Sequence, residues 1–360
     1  MLTALKEQIA RLDTGARLPT VRDLMRSHKV SQATVQEALT RLRDEGLLTS
    51  QVGRGTYVIK GGDRIRASDP ARDSHLDSLL ILSNASLNER CVLVQNQIVD
   101  ELSRSGSKIM QMSYHDTGHL LDILTSVPDF DAVILQSHYE NIPIRLLRLL
   151  QEKTRALVVD GHTVSGVDID RVGTDWEEAL DFALDHLAAQ GHTSVALVSL
   201  DSMAQPILTV RRAFDRMGRR PRAPWTRLYP LTLQGVLHPT QRVGEALHTA
   251  LESMVDDSGK LPFTAMITLG ISDSFGIRSC LDQMNLSVPR DISLFILGHL
   301  DVPTEHLGSV SMAGSSYREA AARLIEVIRQ RVDDPQTPPR IVYLNCAEAI
   351  RESTSAPARA

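Results

Sequence analysis

Apolar residues at the start of the chain recur at the spacing of one helix face: Leu2, Leu5, Ile9 and Leu12, with Gly15 where such a helix should stop. Thr20 is placed to cap a second helix whose stripe is Val21, Leu24 and Met25. Ser31 caps a third, with Val35, Ala38, Leu39 and Leu42 on its apolar face and Gly46 as its stop. The period then changes from helix to strand. "LLTSQ" and "GTYVI" predict a hairpin, in which Gly53 and Gly55 supply turn conformations that a Cβ resists.

"KGGDRIRASDPARDSH", Lys60 to His75, has no apolar period and reads as a linker. Beyond it, short apolar runs alternate with amphipathic helices. "LLILSN", "KIMQMSY", "DAVILQS" and "RALVVDG" predict strands, separated by helices near 90–105, 117–127 and 143–152. A second set follows the helix marked by Ala179, Leu180, Ala183, Leu184 and Leu187. It comprises "TSVALVSL", a helix near 206–217, a Pro-rich passage, a helix near 241–254, "TAMITLG", a helix near 274–284 and "DISLFILG". This rhythm predicts parallel sheets covered by helices on both faces, arranged as two tandem lobes. Ligands on such sheets sit beyond the carboxyl ends of the strands, so a cleft between the lobes is the expected binding place.

Composition adds compartment and partner. The 360 residues are 42% hydrophobic and 23% charged, as in a soluble globular protein, and neither end begins with an apolar run long enough for a bilayer. A cytoplasmic protein without membrane contact is expected. Cys91, Cys280 and Cys346 are too scattered for a metal or disulfide framework. The net charge of −5 hides a division: residues 1–60 hold ten Lys/Arg against six Asp/Glu, a net of +4, which leaves −9 for the rest. A polyanion is attracted to the first part and repelled by the second.

In a helix-turn-helix the later helix enters the major groove with its N-terminal side chains on base edges. Ser31, Gln32, Thr34 and Gln36 occupy that leading edge, off the apolar stripe. Gln can bond an adenine edge twice, whereas Ser and Thr take bases or phosphates. Arg22, near the start of the second helix, is placed for a phosphate, and Arg54 at the hairpin tip for a backbone or a narrow minor groove. The stretch "GARLPTVRDLMRSHKVSQATVQEALTRLRDEGLLTSQVGRGTYVI" resembles the GntR family winged helix-turn-helix. That resemblance implies DNA binding through Arg22, the start of the third helix, and the wing with Arg54 and Gly55. Gln32 and Gln36 stand where the family commonly has Arg, which implies weaker phosphate attraction and a base preference shifted away from guanine.

"VGTDWEEALDFALDHLAAQGHTSVALVS", "FTAMITLGISDSFGIRSCLDQMNLSVPRDISLFILG" and the ending "AEAIRESTS" resemble the LacI family effector domain, itself similar to type I periplasmic sugar-binding proteins. The likeness covers most of 77–354. It implies an effector site at Asp160 in "VVDG" and at Ser272 and Asp273 in "GISD". The family's Arg aligns with Val210, so Arg211 or Arg212 would have to substitute. Its two-acid signature falls on Gly298 and His299, or, with a two-residue insertion, recovers one acid at Asp301. Tyr114, Tyr139 and Trp176 are the candidate stacking platforms.

The fold expected is therefore multidomain: an α+β winged helix-turn-helix over 1–60, a linker over 61–76, and a two-lobed α/β parallel-sheet, periplasmic-binding-protein-like domain over 77–360. The function expected is that of a transcriptional regulator, read as a repressor. It is a homodimer on roughly palindromic double-stranded DNA, modulated by a small molecule of sugar-like character. No cofactor or metal is expected, and no catalytic motif occurs: no G-x-S-x-G, Walker loop, HExxH or CxxC. Two other readings stand beside this one. One is a regulator whose body binds no ligand and only dimerises; the other is a pyridoxal-phosphate-binding, aminotransferase-like fusion.

Overall fold

The computed structural model describes residues 5–6, 9, 16, 18–19, 21–28, 30, 34–35, 38–39, 42, 48–51, 55–58, 76–85, 88–136, 141–161, 168–219, 224–238, 243–257, 259–271, 273–303 and 308–357. Of these, 21–23, 48–51 and 55–58 are described by backbone alone. The chain divides into two compact units, Met1–Asp73 and Ser74–Ala360. No helix among the described residues is long and apolar enough to cross a membrane.

The first unit has helical backbone at 5–6 and 9, at α1 (Val21–His28), and at 34–35, 38–39 and 42. Leu5, Ile9, Leu18, Leu24, Val35, Ala38, Leu39 and Leu42 form one buried core, with Met25 and Val30 packed against it. The stripes expected from spacing therefore face one another. Strands β1 (Leu48–Gln51) and β2 (Gly55–Val58) pair antiparallel, Leu48 opposite Val58 and Gln51 opposite Gly55. Of the expected linker over 61–76, residues 61–75 lie outside the described residues, and Leu76 is buried in the core that also holds Leu79 and Val94.

The second unit contains two six-stranded sheets. In the first lobe, β3 (Ser78–Asn84), β4 (Lys108–Tyr114), β5 (Phe130–Gln136), β6 (Thr154–Asp160), β7 (Asp170–Thr174) and β13 (Ile341–Leu344) lie in the order β13-β7-β6-β5-β3-β4, all parallel. In the second, β8 (Ser194–Leu200), β9 (Arg227–Leu233), β10 (Ala265–Leu269), β11 (Ser293–His299) and β12 (Ser311–Ser315) are parallel, and β14 (Ala347–Ala349) closes one edge antiparallel, in the order β14-β12-β11-β10-β8-β9. Central strands such as β3, β5 and β10 are buried runs because helices cover both faces. Strand β4, at an edge, is exposed along most of its length.

Short polar side chains start the helices. Asn88 accepts from the Cys91 N–H ahead of α2 (Glu89–Arg104), and Asp116 from the His119 N–H ahead of α3 (Thr117–Ser126). After α4 (Ile144–Lys153), Asp175 caps α5 (Trp176–Ala189) by accepting from Glu177 and Glu178. The second lobe adds α6 (Gln205–Arg219), α7 (Val243–Glu252) and α8 (Ser274–Gln283). All five residues that mark the α5 stripe are buried.

The lobes are not simple tandem repeats, and the second set of elements does not end at "DISLFILG". From β12 the chain enters α9 (Tyr317–Asp333), whose Ala320, Ala321, Leu324, Ile325 and Ile328 pack into the first lobe's core with Val94, Ile98 and Ile134. It then supplies β13 to the first sheet and β14 to the second. The chain thus crosses between lobes after β7, after β12 and after β13. Strand β9 hides in the Pro-rich passage: Pro230 has no N–H to donate, and β9 is an edge strand, where that loss is tolerated. Between β11 and β12 the backbones approach so closely that a Cβ on Gly314, at φ +150°, would overlap the Gly298 carbonyl.

The C-terminal segment is clamped beneath the second lobe. Ser353 Oγ donates to the Leu294 carbonyl at 2.6 Å and accepts from the Ser311 N–H at 2.8 Å. His192, buried, has Nδ1 at 2.7 Å from Thr264 Oγ1 and Nε2 at 2.9 Å from the Ser355 carbonyl. Burial lowers its pKa, partly opposed by the Ser355 bond, and burial lowers that of His186 as well. The fold therefore favours neutral imidazoles, while the unfolded chain titrates near about 6.5. Their contribution to stability is complete above that pH and is lost as pH falls below it toward the lowered folded value. We expect the urea midpoint to drop between about pH 7.5 and about pH 5.5, and His192→Gln to flatten that slope in chemical denaturation.

Candidate effector cleft and nucleic-acid interface

In the first unit, the buried stripe fixes which helix face remains for a partner. Thr34 is helical and exposed beside buried Val35, so it lies off the core. Arg22 lies on α1, near its start, and Gly55 opens β2 opposite Gln51. Ser31, Gln32, Gln36 and Arg54 lie outside the described residues.

In the second unit, the crossings define the cleft. Thr174 ends β7 and Ser315 ends β12; their hydroxyls share a buried hydrogen bond of 2.6 Å. The carboxyl edges of the two sheets therefore turn toward one another where the chain passes between lobes. Ser315 Oγ also lies 3.3 Å from His299 Nδ1, and the His299 ring meets Trp176 edge-on at 5.5 Å between centroids. The third crossing joins the same place. Cys346 Sγ donates to the Asp175 carbonyl at 3.2 Å, and burial pushes its pKa up to about 12, so it stays a thiol.

The acids named from sequence are all engaged within the protein. Asp160, at the end of β6, is fully buried and accepts from Arg90 Nη1 at 2.6 Å, Arg90 Nη2 at 2.7 Å and Gln136 Nε2 at 2.7 Å. Asp273 caps α8 by accepting from the Gly276 N–H at 2.9 Å. Asp301 accepts from Ser316 Oγ at 2.6 Å and the Tyr317 N–H at 2.8 Å, so a second-lobe loop holds the start of α9, a first-lobe helix. Arg211 is half-buried, two turns into α6, and Val210 is fully buried beside it. Ser272 and Tyr139 lie outside the described residues, and Tyr114 is buried.

Sequence reasoning missed Arg90 and Gln136. Burial opposes the Arg90 charge, and Asp160 more than restores it, so the guanidinium pKa is raised. Removing either partner of such a buried pair strands the other, at about 3–5 kcal/mol. One signal was available: Arg90 sits in the first turn of α2, where the helix dipole disfavours a cation, so a nearby acid was implied.

Residues 3–58 match the family model for bacterial regulatory proteins of the gntR family, and residues 184–354 match that for a periplasmic binding protein-like domain. The HTH-type transcriptional regulator PtxS of Pseudomonas putida is 27% identical over 161 residues, covering 44% of this chain and 43% of that protein, so the match spans less than half of the relative's length. A LacI family transcriptional regulator from Enterococcus faecium, solved with bound ribose, has a TM-score of 0.64 at 17% identity, covering 78% of this chain and 99% of that one. A LacI transcriptional regulator from a Rhodococcus species gives 0.62 at 19%, with 78% and 98% covered. The CCPA regulator of Weissella paramesenteroides with bound sucrose gives 0.61 at 17%, with 78% and 99% covered. At these identities the likeness is one of fold, and it replaces the aminotransferase-like alternative for the body. The chain thus joins a helix-turn-helix segment of the gntR regulatory type to a periplasmic-binding-protein-like body with the fold of LacI-family regulators.

Proposed function

We propose that this protein is a transcriptional regulator, a repressor in sense, that acts in the cytoplasm as a homodimer on a roughly palindromic DNA site. In this reading 1–60 bind DNA, 61–76 link, and 77–360 bind a small effector between two lobes and dimerise. The observation that carries it is the pairing in one chain of a cationic helical unit with a body whose two parallel sheets turn their carboxyl edges on one another. One reader makes few base contacts; two, fixed by a dimer, match a two-fold operator. Gln32, Gln36, Ser31 and Thr34 are assigned to bases, and Arg22, Arg54 and the Gly55 backbone to phosphates. Effector contacts are assigned to Asp160, Ser272, Asp273, Arg211, His299 and Asp301. Structural neighbours solved with ribose and sucrose support a sugar-like effector class.

A second reading has one observation in its favour. Asp160, Asp273 and Asp301 already accept hydrogen bonds from the protein itself, which suits a body that only dimerises. A thermal-shift panel of sugars and nucleosides separates the two. On the first reading one compound raises the melting temperature, since a ligand of the native state must stabilise it; a flat panel favours the second.

In the homodimer Arg22→Ala with Arg54→Ala removes two phosphate contacts from each protomer, so the steepness of log K against log salt is expected to fall by about 3.6, roughly 0.9 for each of the four lost contacts. An unaltered slope in fluorescence anisotropy removes both from the interface. Gln32→Ala with Gln36→Ala should instead compress the spread of affinities across duplexes of different sequence, and an unchanged spread overturns their assignment to bases.

A further inference from the structure

The effector reading above brings its ligand against the carboxyl edge of the first lobe, where a side chain that no motif marks controls the charge. Arg90 reaches from the first turn of α2, past the end of β5, to Asp160 at the end of β6. It is 5% exposed and its partner 0%. Asp160 accepts from Nη1 on Oδ2 and from Nη2 on Oδ1, and Gln136 adds a second bond to Oδ2.

The amides behind this pair all point the same way. Gln111 Nε2 donates to Gln95 Oε1 at 3.2 Å, Gln95 Nε2 to Gln136 Oε1 at 2.8 Å, and Gln136 Nε2 to Asp160. An ionised carboxylate only accepts, so it fixes the orientation of every amide in the relay. Asp160 is thereby held as an ion facing the protein, and the pair it forms with Arg90 carries no net charge.

One donor of the pair remains. Arg90 Nε is buried and has no hydrogen-bond partner by distance and angle among the described residues; the side chain that interacts with the guanidinium besides Asp160 is Cys91, a weak acceptor that burial keeps a thiol. The Nε atoms of Arg171 and Arg340 are also buried without acceptors, but they stand at the amino ends of β7 and β13, away from the facing edges. Interiors rarely keep an unsatisfied donor, and Arg90 lies at the carboxyl end of the first lobe's sheet, beside the ends of β5 and β6.

We propose that Arg90 is a specificity-determining residue of the cleft: its pair with Asp160 selects an uncharged effector, and its Nε–H is the donor held for an oxygen of that effector. This rests on the effector reading above. A carboxylate on the ligand would compete with Asp160 for the guanidinium and leave a buried acid uncompensated. An ammonium would meet the guanidinium head-on. A hydroxyl or ring oxygen satisfies Nε–H and leaves the pair intact.

Arginine Nε–Hε resonances of the full-length chain, with that of Arg90 assigned through Arg90→Lys, test this on titration with D-ribose, D-glucose and sucrose, and with glucuronate and glucosamine as charged counterparts of glucose. The expected result is that a neutral sugar raises the melting temperature and moves the Arg90 resonance. Arg90→Lys, which keeps the cation but has no Nε–H, should then bind that sugar about tenfold more weakly or worse. If a neutral sugar binds while the resonance stays in place and Arg90→Lys binds within about twofold, the inference fails and the cleft reading survives. It fails also if glucuronate or glucosamine binds more tightly than glucose, or if Cys91→Ala alone moves the resonance, which would place the donor on the thiol. If no neutral probe binds, the inference falls while the wider thermal-shift panel still decides the cleft reading.

Discussion

Among the described residues the two sheets of the second unit share no ladder; backbone passes from one to the other at three places, and the Thr174–Ser315 hydroxyl pair ties two strand ends there. The bond is small in itself, on the order of 1 kcal/mol. Its position matters more than its strength. It fixes the ends of β7 and β12 together, so the carboxyl edges of both sheets confront each other, and whatever sits between them touches both lobes. Asp301 holding the first turn of α9 adds a second tie across the same region. Two packed sheets tied by a few hydrogen bonds and three backbone crossings have the connectivity that hinge motion between lobes uses.

The facing edges are not alike. On the first lobe a buried ion pair and an amide relay satisfy one another; on the second, Asp273 is committed to a helix start and His299 lies against Ser315 and Trp176. Carboxylates so engaged are poor acceptors for an incoming hydroxyl. On the proposed effector reading, the selectivity of the cleft would then depend on donors left over and on shape, more than on the acids assigned as contacts.

Much of this was legible in the sequence. Strands β3, β5, β6, β8, β10 and β11 are apolar runs bounded by polar turns, and their helices carry stripes at the expected spacing. The elements missed were weak for physical reasons. Strand β12, "SMAGS", is small and polar because a neighbouring backbone approaches it; β9 carries Pro230; β13 and β14 are four and three residues long at sheet edges. The return of α9 to the first lobe is long-range and leaves no local trace. For the site, Asp160, Asp273 and Asp301 were named through the family resemblance, which did not reveal that Arg90, 70 residues upstream of Asp160, would occupy it.

The central claim is that the cationic unit reads DNA as one of a pair fixed by the two-lobed body. Selection of bound fragments from a random duplex pool by the full-length chain tests it most directly. The account predicts enrichment of a two-fold-symmetric site; a pool that emerges without sequence preference, in the presence or absence of metabolites, would contradict it.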